Sequence, residues 1–121
     1  MLVTAIVNNH RNTLVVDMPR SKMDLDTKLY SIGRELSHDT PISDNPNGNI
    51  SVKLLSDSDI GTHLIKLFNE SYTLNDVNNL VYSITNAPEE IQEAIESNIL
   101  YDQYSTPDEL IEDIKSRTLE A

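Results

Sequence analysis

Twenty carboxylates and three histidines are the side chains with which this 121-residue chain could do chemistry. Carboxylate pairs can share general acid and base work, but only where burial or a partner shifts a pKa. Acid pairs are plentiful here, and all stand at positions with an exposed pattern, so no spacing singles one out. His10, His38 and His63 fall in a loop, a loop and a helix. Metal ligation needs convergent ligands at set spacing, and no His/Asp/Glu group has it. The absence of cysteine removes a thiolate nucleophile, a thiolate zinc site and a disulfide framework. Asp57-Ser-Asp59-Ile-Gly61 faintly resembles a calcium loop. Its glycine comes one place early, however, and Phe68 stands where a bidentate Glu belongs. Ser56 to Asp59 is read instead as a helix cap. No glycine-rich phosphate loop and no nucleophile elbow is present. The expectation is a non-enzyme with no catalytic, cofactor-binding or metal-binding residues.

What remains is charge. Residues 70–114 hold eleven carboxylates: Glu70, Asp76, Glu89, Glu90, Glu93, Glu96, Asp102, Asp108, Glu109, Glu112 and Asp113. They hold no lysine, arginine or histidine. The net charge of −11 is therefore uneven: seven Lys/Arg stand against eight Asp/Glu in 1–69, and two against twelve in 70–121. Five of the acids have an ordinary explanation. Asp76, Glu89, Glu90, Asp108 and Glu109 sit in expected first turns, where the helix dipole favours an anion by ~0.3–1 kcal/mol each. Glu70, Glu93, Glu96, Asp102, Glu112 and Asp113 lack that reason. A face built only for stability would add Glu-to-Lys pairs, and the expected helix ends near 82–86 and 97–101 carry no cation. These six residues are the candidate partner-binding surface. The competing reading is a solvated face whose acids serve solubility. Such a surface repels phosphates, which argues against nucleic acid or an anionic membrane as a direct partner and for a basic protein. Glu89, Glu93 and Glu96 are spaced roughly 6 and 4.5 Å along a helix axis. Duplex DNA carries one charge per ~1.7 Å, so a single helix is about threefold too sparse to imitate it. Several helices sharing a face, or a second subunit, would be needed.

The elements that must position these acids follow from the pattern. Two β-branched runs, 2–7 and 13–18, flank the polar segment Asn8–Asn12 and read as a hairpin. Both are apolar at successive positions, the pattern of strands covered on both faces. Leu25, Leu29 and Ile32 predict a short helix over 24–34, with Gly33 near its end. Residues 37–49 form a turn-rich loop. Ile50, Val52 and Leu54 alternate with polar residues as a half-exposed strand does. From Ser56 the period becomes helical. Ile60, Leu64, Leu67 and Phe68 line one face. Thr73 to Asp76 is a capping box ahead of Leu74, Val77, Leu80, Val81 and Ile84. Asn86 and Pro88 begin another helix with Ile91, Ala94, Ile95 and Ile99. Thr106-Pro-Asp-Glu109 is a second capping box, with proline at the first helical position. Asn78 flanks an apolar stripe. It is read as bonding a neighbouring loop's backbone, with partner contact as the alternative.

The fold class expected is α+β: a small N-terminal antiparallel β-sheet with one helix, then about four short α-helices. A division at 1–56 and 57–121 is the natural one, within what could equally be one compact domain. The apolar N-terminus lacks a basic leader and a cleavage-like end, and no run approaches the ~18 residues of a membrane span. A cytoplasmic location without membrane contact is expected. Asn49-Ile-Ser51 and Asn69-Glu-Ser71 then match the glycosylation sequon by accident.

Leu74-Asn-Asp-Val-Asn-Asn-Leu80 and Ser105-Thr-Pro-Asp-Glu-Leu-Ile111 resemble two helix segments of the ArdA-type antirestriction proteins. Leu14-Val-Val-Asp-Met-Pro19 and Leu29-Tyr-Ser-Ile-Gly33 are similar to that family's strand, proline, helix and Ile-Gly pattern. The resemblance covers roughly 73–114, and 13–33 more weakly. It implies an elongated, acidic, non-enzymatic protein of a phage or conjugative element, commonly dimeric. Such a protein imitates B-form DNA and occupies the DNA site of a type I restriction–modification enzyme. Val81 departs from the family's small residue after the signature leucine, the chain is shorter than three-domain members, and its N-terminal half is nearly neutral. The alternative is a helical protein–protein adaptor whose acids serve only solubility.

Overall fold

Strand alternation builds the N-terminal part. The computed structural model describes residues 3–43 and 49–120. β1 (Val3–Asn9) and β2 (Asn12–Met18) pair antiparallel from Asn9↔Asn12 to Val3↔Met18, and β1 pairs antiparallel with β3 (Ile50–Leu55) on its other side. The sheet order is β2-β1-β3. The expected loop over 8–12 shrinks to His10 and Arg11, because Asn8 and Asn9 find side-chain partners across the fold. Asn8 bonds Ser51 and Thr13, and Asn9 Nδ2 donates to the Ile32 carbonyl at 2.8 Å and to Glu35 at 3.1 Å. His10 takes the left-handed turn conformation, at φ 56°.

The expectation of a sheet covered on both faces does not hold. Val3, Ala5, Val7, Val16, Met18, Val52 and Leu54 are buried on one face. The other carries Thr4, Ile6, Val15, Asp17 and Leu55 around an open hollow of about 560 Å³. Polar partners make that face tolerable in water: Thr4 Oγ1 donates to Asp17 at 2.8 Å.

The edges differ as well. His10 N–H donates to Asn49 at 2.8 Å, so even-numbered positions of β1 bond β3 and odd-numbered ones bond β2. By the same alternation Leu14 and Val16 bond β1, while Thr13, Val15 and Asp17 turn their backbone groups outward. The far edge of β3 is engaged at its middle by Ser43, which exchanges two backbone bonds with Val52 at 2.7 and 3.3 Å. Nothing comparable covers β2 among the described residues.

Helix α1 (Lys22–Tyr30) begins two residues earlier than expected and ends four earlier, because Ser21 caps it through the Asp24 N–H. The chain then turns tightly through Gly33. A Cβ at Gly33 would strike Asn9 Nδ2, so the close approach of this turn to β1 requires glycine. Residues 38–42 are pinned to the following helix region: Asn75 N–H bonds the His38 carbonyl, Leu74 N–H bonds Thr40, and Ile42 N–H bonds Tyr72. The remainder of the expected loop, residues 44–48 with Pro46, Asn47 and Gly48, lies outside the described residues.

Four helices follow. They are α2 (Asp59–Ile65), α3 (Leu74–Thr85), α4 (Glu89–Leu100) and α5 (Pro107–Glu120). Ser58 caps α2 through Gly61 N–H, as the cap reading of Ser56–Asp59 requires. Thr73 and Asp76 form the reciprocal capping box of α3. Asn86 closes α3 rather than opening α4, whose start at Pro88 has no side-chain cap. At α5 Thr106 caps Glu109 N–H, but Glu109 reaches back to the Ser105 N–H, one residue beyond the N–H that a strict box would use. The molecule is thus α+β, with a three-stranded sheet, one helix beside it and four more. One buried cluster takes residues from every element, from Val3 to Ile114. Asn78, almost fully buried, accepts from Arg20 N–H at 2.8 Å and donates to the Arg20 carbonyl at 2.7 Å, so it ties α3 to the loop after β2. Among the described residues no helix is long and apolar enough to cross a membrane.

Candidate functional site

Helix α4 presents the carboxylates most plainly. Ile91, Ile95 and Ile99 are its buried residues. At about 100° per residue, Glu89, Glu93, Glu96 and Leu100 fall opposite them within about 60° of arc. Glu89 and Glu93 are exposed and Glu96 is half-buried, accepting from Gln92 Nε2 at 3.2 Å. No cation stands on this helix. Helix α5 packs beside α4 and repeats the arrangement. Leu110 and Ile114 face inward, and Asp108, Glu112 and Lys115 share the outer arc. Here a cation does intervene, with Lys115 Nζ 3.9 Å from Glu112, both ends being largely exposed.

Two of the six candidates are turned to internal partners. Asp113 accepts from Tyr104 OH at 2.6 Å and from Arg117 Nε at 2.9 Å, and Asn98 donates to the same phenol oxygen at 3.3 Å. These four side chains link α4, the connecting turn and α5. Burial, and then the Asp113 bond, push the Tyr104 phenol up to about 12.

Asp102 occupies a left-handed position at φ 53° just past α4. Its N–H bonds Ile99 and the next N–H bonds Asn98, so it fills the place that glycine usually takes in a Schellman closure. Its carboxylate accepts from His63 on α2 at 2.9 Å, a bond that holds it below the usual carboxylate range. Glu70 lies in the turn before α3, exposed, on the rim of a cleft of about 510 Å³ that Glu35 and Asp39 also line. Glu93 and Glu96 therefore share a stripe, Glu112 occupies the equivalent arc of the adjacent helix, Asp102 and Asp113 stitch helices together, and Glu70 belongs to another region.

Several charged contacts escaped the reading of the chain. His38 Nδ1 lies 2.8 and 3.0 Å from the two Asp26 oxygens, and Nε2 lies 3.3 Å from Asp39. The backbone N–H of His38, then its ring, hold Asp26 below the ordinary carboxylate value. No local signal announces these pairs, since their members are far apart in sequence or sit in a turn. Large apolar side chains also flank the acids: Leu100 and Tyr101 are 41% and 75% exposed at the end of α4, and Tyr82 of α3 is exposed as well. Among the described residues no group of three or more His, Asp or Glu is placed to hold a metal ion. In comparisons with known proteins no family model matches the chain, and no curated protein or solved structure is significantly similar to it.

Proposed function

We propose that this chain is an acidic, non-catalytic binding protein of a mobile element. It acts as a DNA mimic, occupying the DNA site of a basic partner such as a type I restriction–modification enzyme or another DNA-binding protein. The observation that carries the reading is the outward stripe of Glu89, Glu93 and Glu96 on a helix without a cation, with Asp108 and Glu112 on the matching arc of the adjacent helix. The second helix adds lateral charge to the stripe, offset in part by Lys115 on the same arc. A basic cleft that neutralises phosphates would meet carboxylates instead, without the chain having to bind nucleic acid. The likeness of Leu74–Leu80 and Ser105–Ile111 to ArdA-type proteins points the same way.

Competition between the protein and duplex DNA for a type I restriction enzyme tests this. Inhibition should weaken as salt rises from about 50 to 200 mM, because the contact is between exposed charges. The Glu93→Lys/Glu96→Lys double variant should lose inhibition by at least about tenfold if each exposed contact contributes ~0.5–1 kcal/mol and reversal doubles the loss. Unchanged inhibition in that variant sinks the mechanism. A second reading, a protein–protein adaptor, is favoured by exposed Leu100 and Tyr101 at the end of the acidic stripe. Binding that ignores salt but fails in Leu100→Ser/Tyr101→Ser would select it.

A further inference from the structure

We infer that the open edge of β2 pairs antiparallel with β2 of a second copy about a two-fold axis at Val15, joining two three-stranded sheets into one of six strands. The backbone groups of Thr13, Val15 and Asp17 point away from β1, and no described residue bonds them. An unpaired strand edge is a template for another strand unless proline, an inward charge, a bulge or a covering loop blunts it. Within Asn12–Met18 there is no proline and no lysine, and the pairing with β1 is continuous. The opposite edge, on β3, is engaged at Val52 by Ser43. The outward backbone groups of β2 are thus open along the strand, whereas β3 is already engaged at its middle.

The side chains favour a second copy as the occupant. Pairing centred on Val15 sets Val15 against Val15 of the other copy and buries a side chain that is 62% exposed in the single chain. It sets each Thr13 against an Asp17. That pair can bond across the axis as Thr4 and Asp17 already do within the sheet at 2.8 Å. Arg11, exposed at the hairpin turn, comes diagonal to the other copy's Asp17, within reach of a long side chain. No like charges oppose one another anywhere in this register. Long-range charge agrees: the strand lies in the half of the chain with seven Lys/Arg and eight Asp/Glu, not in the half with two and twelve. Two copies meeting through the acidic helices would repel strongly; through β2 they would not. An isologous contact of this kind uses the same edge of both copies and so closes on itself.

Analytical ultracentrifugation of the full chain across a concentration series, with amide hydrogen exchange at its two ends, tests the inference. A dimer is expected, and the amides of Thr13, Val15 and Asp17 should gain protection as concentration rises, while those of Leu14 and Val16 are protected throughout. Thr13→Asp places two carboxylates opposite each other at both ends of the pairing and should raise the dimer Kd by about tenfold, whereas Thr13→Lys should lower it. Thr13→Asp combined with Asp17→Lys should restore pairing. Circular dichroism of each variant separates loss of pairing from loss of fold, and the opposite signs at Thr13 keep the test sharp if one variant folds poorly. A chain that stays monomeric up to about 1 mM, a dimer indifferent to the charge at position 13, or protection that appears elsewhere without these three amides overturns it.

Discussion

At the scale of single residues, most of the polar side chains that matter are tethers. Asn78 was legible as a bond to a neighbouring loop, because asparagine beside an apolar helical stripe must satisfy both ends of its amide; it meets the backbone N–H and carbonyl of Arg20. Asp102 and Asp113 were not legible as tethers. Their acidity in a cation-free window suggested an outward surface, yet their partners His63 and Arg117 stand outside that window and reach in. Asp26 gives a measurable consequence. The His38 backbone N–H, followed by its ring, holds this carboxyl below its ordinary value of 3.8. A depressed folded pKa means that the unfolded chain takes up the proton first. The stability it confers is therefore present above the unfolded value and is lost as pH falls through the folded one. Urea midpoints measured from pH 6 to below pH 3 should fall toward acid, and Asp26→Asn should lie lower at neutral pH and flatten that acid limb. A variant whose acid limb is as steep as that of the natural chain would remove Asp26 from the account.

At the scale of elements, types and order were readable from period, and boundaries were not. The 3.6-residue stripes of α3, α4 and α5 and the alternation of β3 fall where the pattern puts them. What moved was the ends. Ser21 started α1 early, and Asn8, Asn9 and Asn12 entered strands that their turn propensity argues against. The Ser21 cap is local, three residues from the N–H it accepts. The asparagines were decided by tertiary partners, Ser51 for Asn8 and Ile32 and Glu35 for Asn9, which no local window contains. The turn after α1 shows how closely two elements can be fitted by one residue. Gly33 faces Asn9 Nδ2, which donates to Ile32 and Glu35. Gly33→Ala should cost about 1–3 kcal/mol in denaturant unfolding, because the buried amide must move off its acceptors. Asn9→Ala should remove most of that penalty. The double variant then costs less than the sum of the singles, a coupling a double-mutant cycle reads directly. Additive singles would mean that the turn yields without disturbing Asn9.

At the scale of the whole molecule, the division of charge and the division of structure run together. The sheet and α1 come from the nearly neutral half, and the helices that carry the stripe come from the half with two cations and twelve acids. Sequence made that asymmetry visible. It could not tell which acids face outward together, since this depends on helix phase and on side chains arriving from elsewhere. The asymmetry separates two reasons for having so many carboxylates. If the stripe served stability or solubility alone, reversing part of it would be neutral for binding. If it is a surface kept for a basic partner, stability is being given up for it, and the two properties should move in opposite directions. Glu93→Lys/Glu96→Lys lowers the magnitude of the net charge. It also places a lysine four residues after Glu89, the favourable order for an i,i+4 pair. A cation then stands in the last turns of α4, which now have none. The variant should therefore be more stable than the natural chain by about 0.5–1 kcal/mol at low salt. This advantage should shrink toward zero as about 0.5 M salt screens the repulsion, while inhibition is lost. Thermal unfolding at two salt concentrations, run beside the DNA-competition assay, reads both quantities on one preparation. Loss of stability together with loss of inhibition would instead make Glu93 and Glu96 structural, and the binding defect a consequence of unfolding.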